Sequence, residues 1–127
     1  MQNRYESAAE FRAELRRFLR HSENVARENG MTPRQHLLLL QIGGAENGTT
    51  TVSALVETLA LTQSAVTELV QRAEAAGLVQ RAASPSDGRV THLTLSADGE
   101  RRLRAVYDAL GPERTHLRAV MDALDEA

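Results

Sequence analysis

The stretch between residues 51 and 95 constrains the fold more than any other part of the sequence. Within it, residues 52–59 and 63–76 repeat apolar side chains at intervals of three and four, which predicts two short helices. The few residues between them force a sharp corner in the chain. Two extended runs follow, at residues 78–81 and 90–95, and the Ser-Pro-Ser-Asp-Gly segment between them is typical of a hairpin tip.

This order of helix, corner, helix and β-ribbon is typical of a winged helix-turn-helix. In such a fold the second helix has the dimensions to enter the major groove of DNA. The ribbon, or wing, can reach the neighbouring groove or the phosphate backbone. The sequence therefore predicts a mainly α-helical protein with a small β-wing, and DNA binding as its function.

A further helix is expected to lie buried inside this module. Thr32 has the side chain of a helix cap, and Pro33 suits the first helical position, where its missing N–H costs nothing. The residues that follow are apolar on nearly every side as far as Gly43 and Gly44, so we expect this helix to be covered all round. Residues 45–50 are polar and rich in turn formers, which predicts a loop.

Amphipathic helices flank the module at both ends. Apolar residues recur at helical spacing along residues 5–28, and the pattern restarts after Gly111 and Pro112 and runs to residue 127. A long helix with a narrow apolar seam has little core of its own to cover, so we expect the two ends to pair two copies of the chain. The alternative is that they pack on their own domain. The expected dimerisation residues are Phe11, Leu15, Phe18, Leu117, Val120, Met121 and Leu124.

The length of 127 residues suits a single domain. We expect its winged helix-turn-helix core at residues 31–99 and its dimerisation helices at residues 1–30 and 100–127.

The residues expected to contact DNA lie on the second helix of the corner. Its outward faces carry hydroxyl and amide side chains, which suit phosphates and base edges near a helix N-terminus. Glu68 is the exception, because a carboxylate can accept from a cytosine amine but repels the phosphate backbone. A solvated helix without a DNA role would show the same side chains. The candidates on this helix are Gln63, Ser64, Thr67, Glu68, Gln71 and Arg72.

Two charged residues at the hairpin tip receive different roles. Arg89 follows the tip directly, and an arginine there can enter a minor groove, where a narrow A·T-rich stretch concentrates negative potential. Asp87 is too acidic to contact DNA. We expect its carboxylate to fix the wing, by accepting hydrogen bonds or by pairing with an arginine.

The charge balance argues against binding through bulk positive charge. The chain has 15 arginines and no lysine against 17 acidic residues, a net charge of −2. Within residues 51–95 three arginines stand against four carboxylates, a net charge of −1. DNA binding must then come from the placement of polar groups and helix ends. A winged helix that binds another protein is the alternative, since a fold does not fix its function.

Other functional classes find little support. The absence of cysteine excludes disulfides and thiol chemistry. The four histidines are dispersed, and there is no nucleophile motif or phosphate-binding loop, so we expect neither an enzyme nor a cofactor. Glu113 and His116, with His21 or His36 approaching, have the spacing of metal ligands, but solvated side chains are the favoured interpretation. No apolar run is long enough to cross a membrane, and the first residues lack the apolar core of a signal peptide, which predicts a cytoplasmic protein.

Five segments together resemble the transcriptional regulators of the MarR type: residues 55–59, 61–67, 74–81, 87–89 and 93–99. The resemblance runs through roughly half of the chain in the family's order and spacing. It implies a triangular homodimer with interleaved terminal helices, bound to double-stranded DNA at a pseudo-palindromic operator. It also implies repression, and release by a small, often aromatic, acid in a cleft between the dimerisation helices and the winged domain.

The resemblance also assigns residues. It implies that Gln63, Ser64, Ala65 and Thr67 meet the major groove, that Arg89 is the wing-tip arginine and that Asp87 is its acidic partner. The chain departs from the family in three ways. Glu68 stands where many members have a cation or a neutral polar residue, the N-terminal part is short, and without cysteine the peroxide-sensing branch does not apply.

Overall fold

The computed structural model describes residues 3–83, 86 and 88–126. The helices of this part are α1 Arg4–Glu28, α2 Pro33–Gly43, α3 Val52–Leu59, α4 Gln63–Ala75, α5 Ala97–Ala109 and α6 Gly111–Asp122. The strands are β1 Thr49–Thr50, β2 Val79–Ala83 and β3 Thr91–Leu95, and short 3-10 turns lie at Glu46–Gly48 and Ala123–Glu126. This arrangement confirms the predicted fold class, a mainly helical chain built on a winged helix-turn-helix. Nowhere in the described residues is there a helix with the length and apolar character needed to span a membrane.

The helices of the winged module begin at capping side chains, and Thr32, predicted as a cap, is one of them. Thr32, Thr51, Thr62 and Ser96 each accept a hydrogen bond from the backbone N–H three residues further along. Such caps contribute about 1 kcal/mol each. Thr32 belongs to a complete capping box, because the side chain of Gln35 also accepts from the Thr32 N–H at 3.0 Å.

The sheet contains one strand that the sequence did not indicate. Its order is β1-β3-β2, with both pairs antiparallel. The prediction of a loop over residues 45–50 was wrong at its end, because Thr49 and Thr50 pair with Thr94 and Leu93. Two residues are too few to show alternation in a sequence. The strand exists because β3 supplies its hydrogen-bonding partner.

The C-terminal end also differs from the prediction. The helix predicted to run to residue 127 ends at Asp122 and continues as a 3-10 turn, a common way for a last helical turn to tighten.

The core is aliphatic and lies around α2. Leu38, Leu39 and Ile42 are fully buried there, against the apolar faces of the neighbouring helices and β3. The expectation that α2 is covered on nearly every side was wrong for Leu37 and Leu40, which are 42% and 44% exposed. These two leucines lie on the face of α2 that opens into a groove, described below.

Helix α5 is joined closely to the end of the α4 segment. Ser96 donates its hydroxyl to the Gly77 carbonyl at 2.6 Å, and its N–H donates to the Leu78 carbonyl at 3.0 Å. Gly99 sits so near this backbone that a Cβ there would lie 2.1 Å from the Leu78 oxygen. The start of α5, the end of α4 and the start of β2 are therefore packed closely together. We call this contact of Ser96 and Gly99 with Gly77 and Leu78 the joint.

Helix α5 also holds the end of α1. The Arg102 guanidinium donates through Nη1 to the carbonyls of Asn29 at 3.3 Å and Gly30 at 3.0 Å, and through Nε to Asp98 at 3.1 Å. It thus satisfies carbonyl groups that a helix C-terminus leaves without partners. Through α5, the winged module is connected to the long N-terminal helix.

Helices α1 and α6 pack on one another within a single chain. Two His–Glu pairs cross between them, His21 with Glu113 at 3.4 Å and His116 with Glu14 at 3.3 Å. Among the residues expected at the dimer interface, Val120 is buried and Met121 is 47% exposed. The other five are half-buried: Phe11, Leu15, Phe18, Leu117 and Leu124.

Candidate nucleic-acid interface

The corner between α3 and α4 directs the second helix outward. Ala60 takes the left-handed conformation, with φ 54° and ψ 41°, and turns the chain after α3. Thr62 then caps α4 by accepting from the Ala65 N–H at 3.1 Å. On the inner face of α4, Val66, Val70 and other apolar side chains are buried in the core. The opposite face is left to solvent.

This outer face of α4 carries the side chains that the sequence singled out. Five of them are exposed and two, Ala65 and Thr67, are half-buried beside the corner. The first turn of the helix, where Gln63 and Ser64 lie, carries N–H groups and the positive end of the helix dipole. The exposed five are Gln63, Ser64, Glu68, Gln71 and Arg72.

The two charged residues of the outer face form an ion pair. Arg72 donates through Nη2 to Glu68 Oε1 at 2.7 Å, one helical turn away. Both side chains are open to solvent, Arg72 by 73% and Glu68 by 62%. The sequence analysis named both residues but did not predict that they pair, although their spacing of four is the usual one for such pairs.

The wing is tied to α4 by a contact that the sequence analysis missed. Arg81 on β2 donates through Nε to Glu74 Oε1 near the end of α4, at 2.8 Å. The two residues lie in different elements, a helix and a strand separated by a glycine turn. No periodic pattern in the sequence therefore indicates this contact. It joins the start of the wing to the last turns of α4.

The tip of the wing lies partly outside the described residues. Arg89 is exposed at the tip, and it interacts with another residue. Asp87, expected to fix the wing, lies outside the described residues, as do Ser84 and Pro85. The strands leading to the tip pair in register from Val79 with Leu95 to Ala83 with Thr91.

A groove of about 420 Å³ opens between α1, α2 and α5, away from the outer face of α4. Its walls are mostly apolar and include Leu37, Leu40 and Tyr107. The charged side chains of Arg34, Arg114 and Glu23 also line it, so arginines outnumber carboxylates there. The Arg114 guanidinium lies 3.6 Å from the centre of the Tyr107 ring, a cation–π contact. The leucines of α2 were predicted to lie in the core, so this groove was not expected from the sequence.

One histidine of this groove has a perturbed pKa. Burial lowers the pKa of His36 from its ordinary value of 6.5, because the charged imidazolium loses its hydration there. The ring is therefore neutral at pH 7 and adds no positive charge to the groove.

His21 does approach Glu113, but among residues 3–83, 86 and 88–126 no three or more His, Asp or Glu side chains are grouped so as to hold a metal ion. Glu14 contacts Arg17 and His116. A hydrogen bond from Arg17 is the main cause that lowers the pKa of its carboxyl, with a smaller contribution from His116.

The fold and the outward polar helix define a winged helix-turn-helix protein of the kind that presents its second helix to a partner. Residues 29–90, which cover most of this module, match the model of the MarR family. No curated protein matches the sequence significantly. Over this segment, a little under half of the chain, and in its fold, the protein is similar to the MarR family.

Solved structures of this family share the fold. A mutant of MepR from S. aureus bound to an oligodeoxyribonucleotide has a TM-score of 0.73 and 17% identity, over 88% of this chain and 81% of that one. A mutant of MarR from E. coli in complex with operator DNA has a TM-score of 0.70 and 20% identity, over 87% and 78%. The transcriptional regulator Tm0710 from Thermotoga maritima has a TM-score of 0.68 and 28% identity, over 91% and 86%.

Proposed function

We propose that this regulator is a homodimeric repressor that binds a pseudo-palindromic operator in double-stranded DNA and releases it when a small molecule is bound. The observation that carries the proposal is the outer face of α4. It presents exposed amide, hydroxyl and guanidinium groups beside the N-terminus of α4, on the same module as the wing. The S. aureus and E. coli structures with bound DNA support it. The cytoplasmic location expected from the sequence stays a prediction.

Each part of the interface has its own role in this proposal. Gln63 and Ser64, in the first turn of α4, contact base edges and the nearest phosphate. Thr67 and Gln71 lie further along the major groove of the DNA. Ala65 is small and half-buried, which lets the helix approach the bases closely. Arg89 extends the interface to the flanking minor groove.

The surface that one chain leaves open supports the proposed dimer. Along α1 and α6 most of the expected interface residues are only half covered, and Met121 is 47% exposed. A second copy would bury this surface and place two α4 helices on one duplex, with half-sites about 34–36 Å apart. Sedimentation of the purified protein tests this step. A monomer at micromolar concentration contradicts it.

The contact types predict different effects of mutation on DNA binding. Arg89→Ala should weaken binding to every duplex by about fivefold to tenfold and most at A·T-rich flanks, because it removes a charged backbone and minor-groove contact. Gln63→Ala and Ser64→Ala should instead relax the preference at particular base pairs. Affinities for a set of operators with single base-pair changes measure both effects. Arg20→Ala, which removes an exposed arginine of α1 outside the winged module, is the matched control.

Selection of genomic DNA, combined with these affinities, separates DNA binding from the alternative that the fold serves protein contacts. Genomic fragments retained by the purified protein should share one two-fold symmetric sequence. Equal losses for all three variants at every base pair would contradict the assignment of contacts. Absence of duplex binding at low salt would overturn the function and favour a protein partner.

The groove between α1, α2 and α5 is our candidate for the effector site. Its apolar walls suit a ring or short chain, and Arg34 and Arg114 at the edge suit a carboxylate. Benzoate serves as the probe. We expect it to raise the melting temperature and to weaken operator binding, since a ligand that binds one state favours that state.

A charge placed in the groove tests this effector site. Leu40→Glu puts a carboxylate on the half-exposed wall and should abolish both effects of benzoate, because the two anions repel. Gln41→Glu adds the same charge to α2 outside the groove lining and should keep them. Equal responses of the two variants would contradict the site.

A further inference from the structure

We infer that Glu68 and Arg72 act as one unit that reads two G·C base pairs in each half of the operator, with cytosine on Glu68 and guanine on Arg72. This inference rests on the proposed DNA-binding function and adds to it the chemistry of the sequence that is recognised. It also gives Glu68, a carboxylate on a surface that approaches phosphates, a positive role.

The geometry of the pair supports its use as a unit. Arg72 Nη2 donates to Glu68 Oε1 at 2.7 Å across one turn of the outer face of α4. Both side chains remain largely open to solvent, 73% for Arg72 and 62% for Glu68. Each group keeps further capacity, because a carboxylate has a second oxygen and a guanidinium has five N–H donors. The ion pair can therefore hold both side chains in place while each still offers hydrogen bonds outward.

Charge decides against the phosphate backbone as the partner of this pair. A carboxylate next to phosphates is repelled, and the positive charge of Arg72 is already compensated by Glu68. A base-pair edge, in contrast, presents donors and acceptors together. In the major groove cytosine offers its N4 amine to a carboxylate, and guanine offers O6 and N7 to the fork of an arginine. The pair matches these two edges.

The spacing of the pair limits where the two bases lie. Four residues of helix rise by about 6 Å in total. Base pairs are about 3.4 Å apart along the duplex. Glu68 and Arg72 therefore reach base pairs within about two steps of each other. The cytosine and the guanine should be neighbours, or separated by a single base pair, in each half-site.

The substitution Glu68→Gln gives the sharpest test. A glutamine has nearly the same shape, but it favours adenine, to which its amide can donate and accept in the major groove. Selection of duplexes from a randomised library should therefore return operators in which the cytosine opposite position 68 is replaced by adenine. The guanine opposite Arg72 should be retained.

Two further variants separate base reading from a structural role. Arg72→Lys keeps the charge but loses the fork, and should reduce the preference for guanine by about tenfold without changing the base opposite position 68. Glu57→Gln removes the same charge from an exposed position on α3 and should leave the selected sequence unchanged. A pair that only stabilises the helix would change the melting temperature and weaken all duplexes equally. The melting temperatures of all variants are measured alongside.

The outcomes distinguish this inference from the function on which it rests. If the wild-type protein selects no duplex sequence, both fail. If it selects an operator without the two G·C pairs, or if Glu68→Gln selects the same bases as the wild type, the assignment is overturned while DNA binding stands. A change from cytosine to adenine that occurs with Glu68→Gln, and not with Arg72→Lys or Glu57→Gln, establishes the inference.

Discussion

Replacing Gly99 with alanine is expected to lower the free energy of unfolding by about 2–3 kcal/mol and the melting temperature by roughly 10 °C. The added methyl carbon would lie 2.1 Å from the Leu78 carbonyl oxygen and 3.0 Å from its carbon. Both are backbone atoms, so no side chain can rotate away. The joint between α5 and the α4–β2 connection would have to open, and the hydrogen bonds of Ser96 across it would lengthen.

The control for this substitution is Gly111→Ala. Gly111 also lies at the start of a helix, but the nearest atom to an added Cβ there is Arg114 Nη2, at 3.9 Å. Alanine should cost much less at this position, because its methyl group meets no backbone atom and the remaining cost is the restriction that Pro112 places on the residue before it. Thermal unfolding of the two variants measures the difference. Equal melting temperatures would show that the joint at Leu78 is not tight.

The joint also carries a functional expectation. Because it connects the end of α4 to β2 and α5, opening it should change the angle between the recognition helix and the wing. Gly99→Ala should therefore weaken operator binding at temperatures where the protein is still folded, while Gly111→Ala should not.

The local features of the fold could be predicted from the sequence. Caps at Thr51 and Thr62 and the apolar repeat of α4 are signals carried by neighbouring residues, and the structure confirms the two helices they define. The outer face of α4 follows from the same repeat, since the positions left over must point away from the core. Most of the candidate residues for DNA binding were found in this way.

The contacts between distant segments could not be predicted. Strand β1 depends on its pairing with β3, and Arg102 reaches the end of α1 across more than seventy residues. The contact of Arg81 with Glu74 depends on the angle between a strand and a helix. The groove beside Leu40 is a property of three helices together. None of these produces a periodic pattern in the sequence.

Several of the carboxylates that make the chain acidic form ion pairs with arginines in the structure. Near the proposed interface Glu68 pairs with Arg72 and Glu74 with Arg81. On α5, Glu100 pairs with Arg104 at 2.8 Å. The carboxylates are thus compensated locally by arginines, and they need not spread a negative potential over the whole surface. Base contacts can then contribute more to the affinity for DNA than the sequence-independent electrostatic attraction does.

This local compensation predicts a moderate dependence of operator binding on salt. Each phosphate neutralised by an arginine contributes about −0.9 to the slope of the logarithm of affinity against that of salt concentration. With one or two such contacts per copy, a dimer neutralises roughly two to four phosphates, and raising salt from about 50 to 200 mM should weaken binding by about 10- to 150-fold. Fluorescence anisotropy with a labelled operator over this range measures the slope.

Glu68→Gln should make this slope steeper, by at most about 2 in the dimer, because Arg72 stays on its guanine but its charge beside the phosphates is no longer compensated. Its affinity for unrelated DNA should rise at low salt, although its preference for the wild-type operator falls. Glu57→Gln changes the net charge by the same amount away from Arg72 and should leave the slope near its wild-type value. A flat salt dependence of the wild-type protein would contradict DNA contact through arginines. An unchanged slope with Glu68→Gln would show that the ion pair opens when DNA is bound.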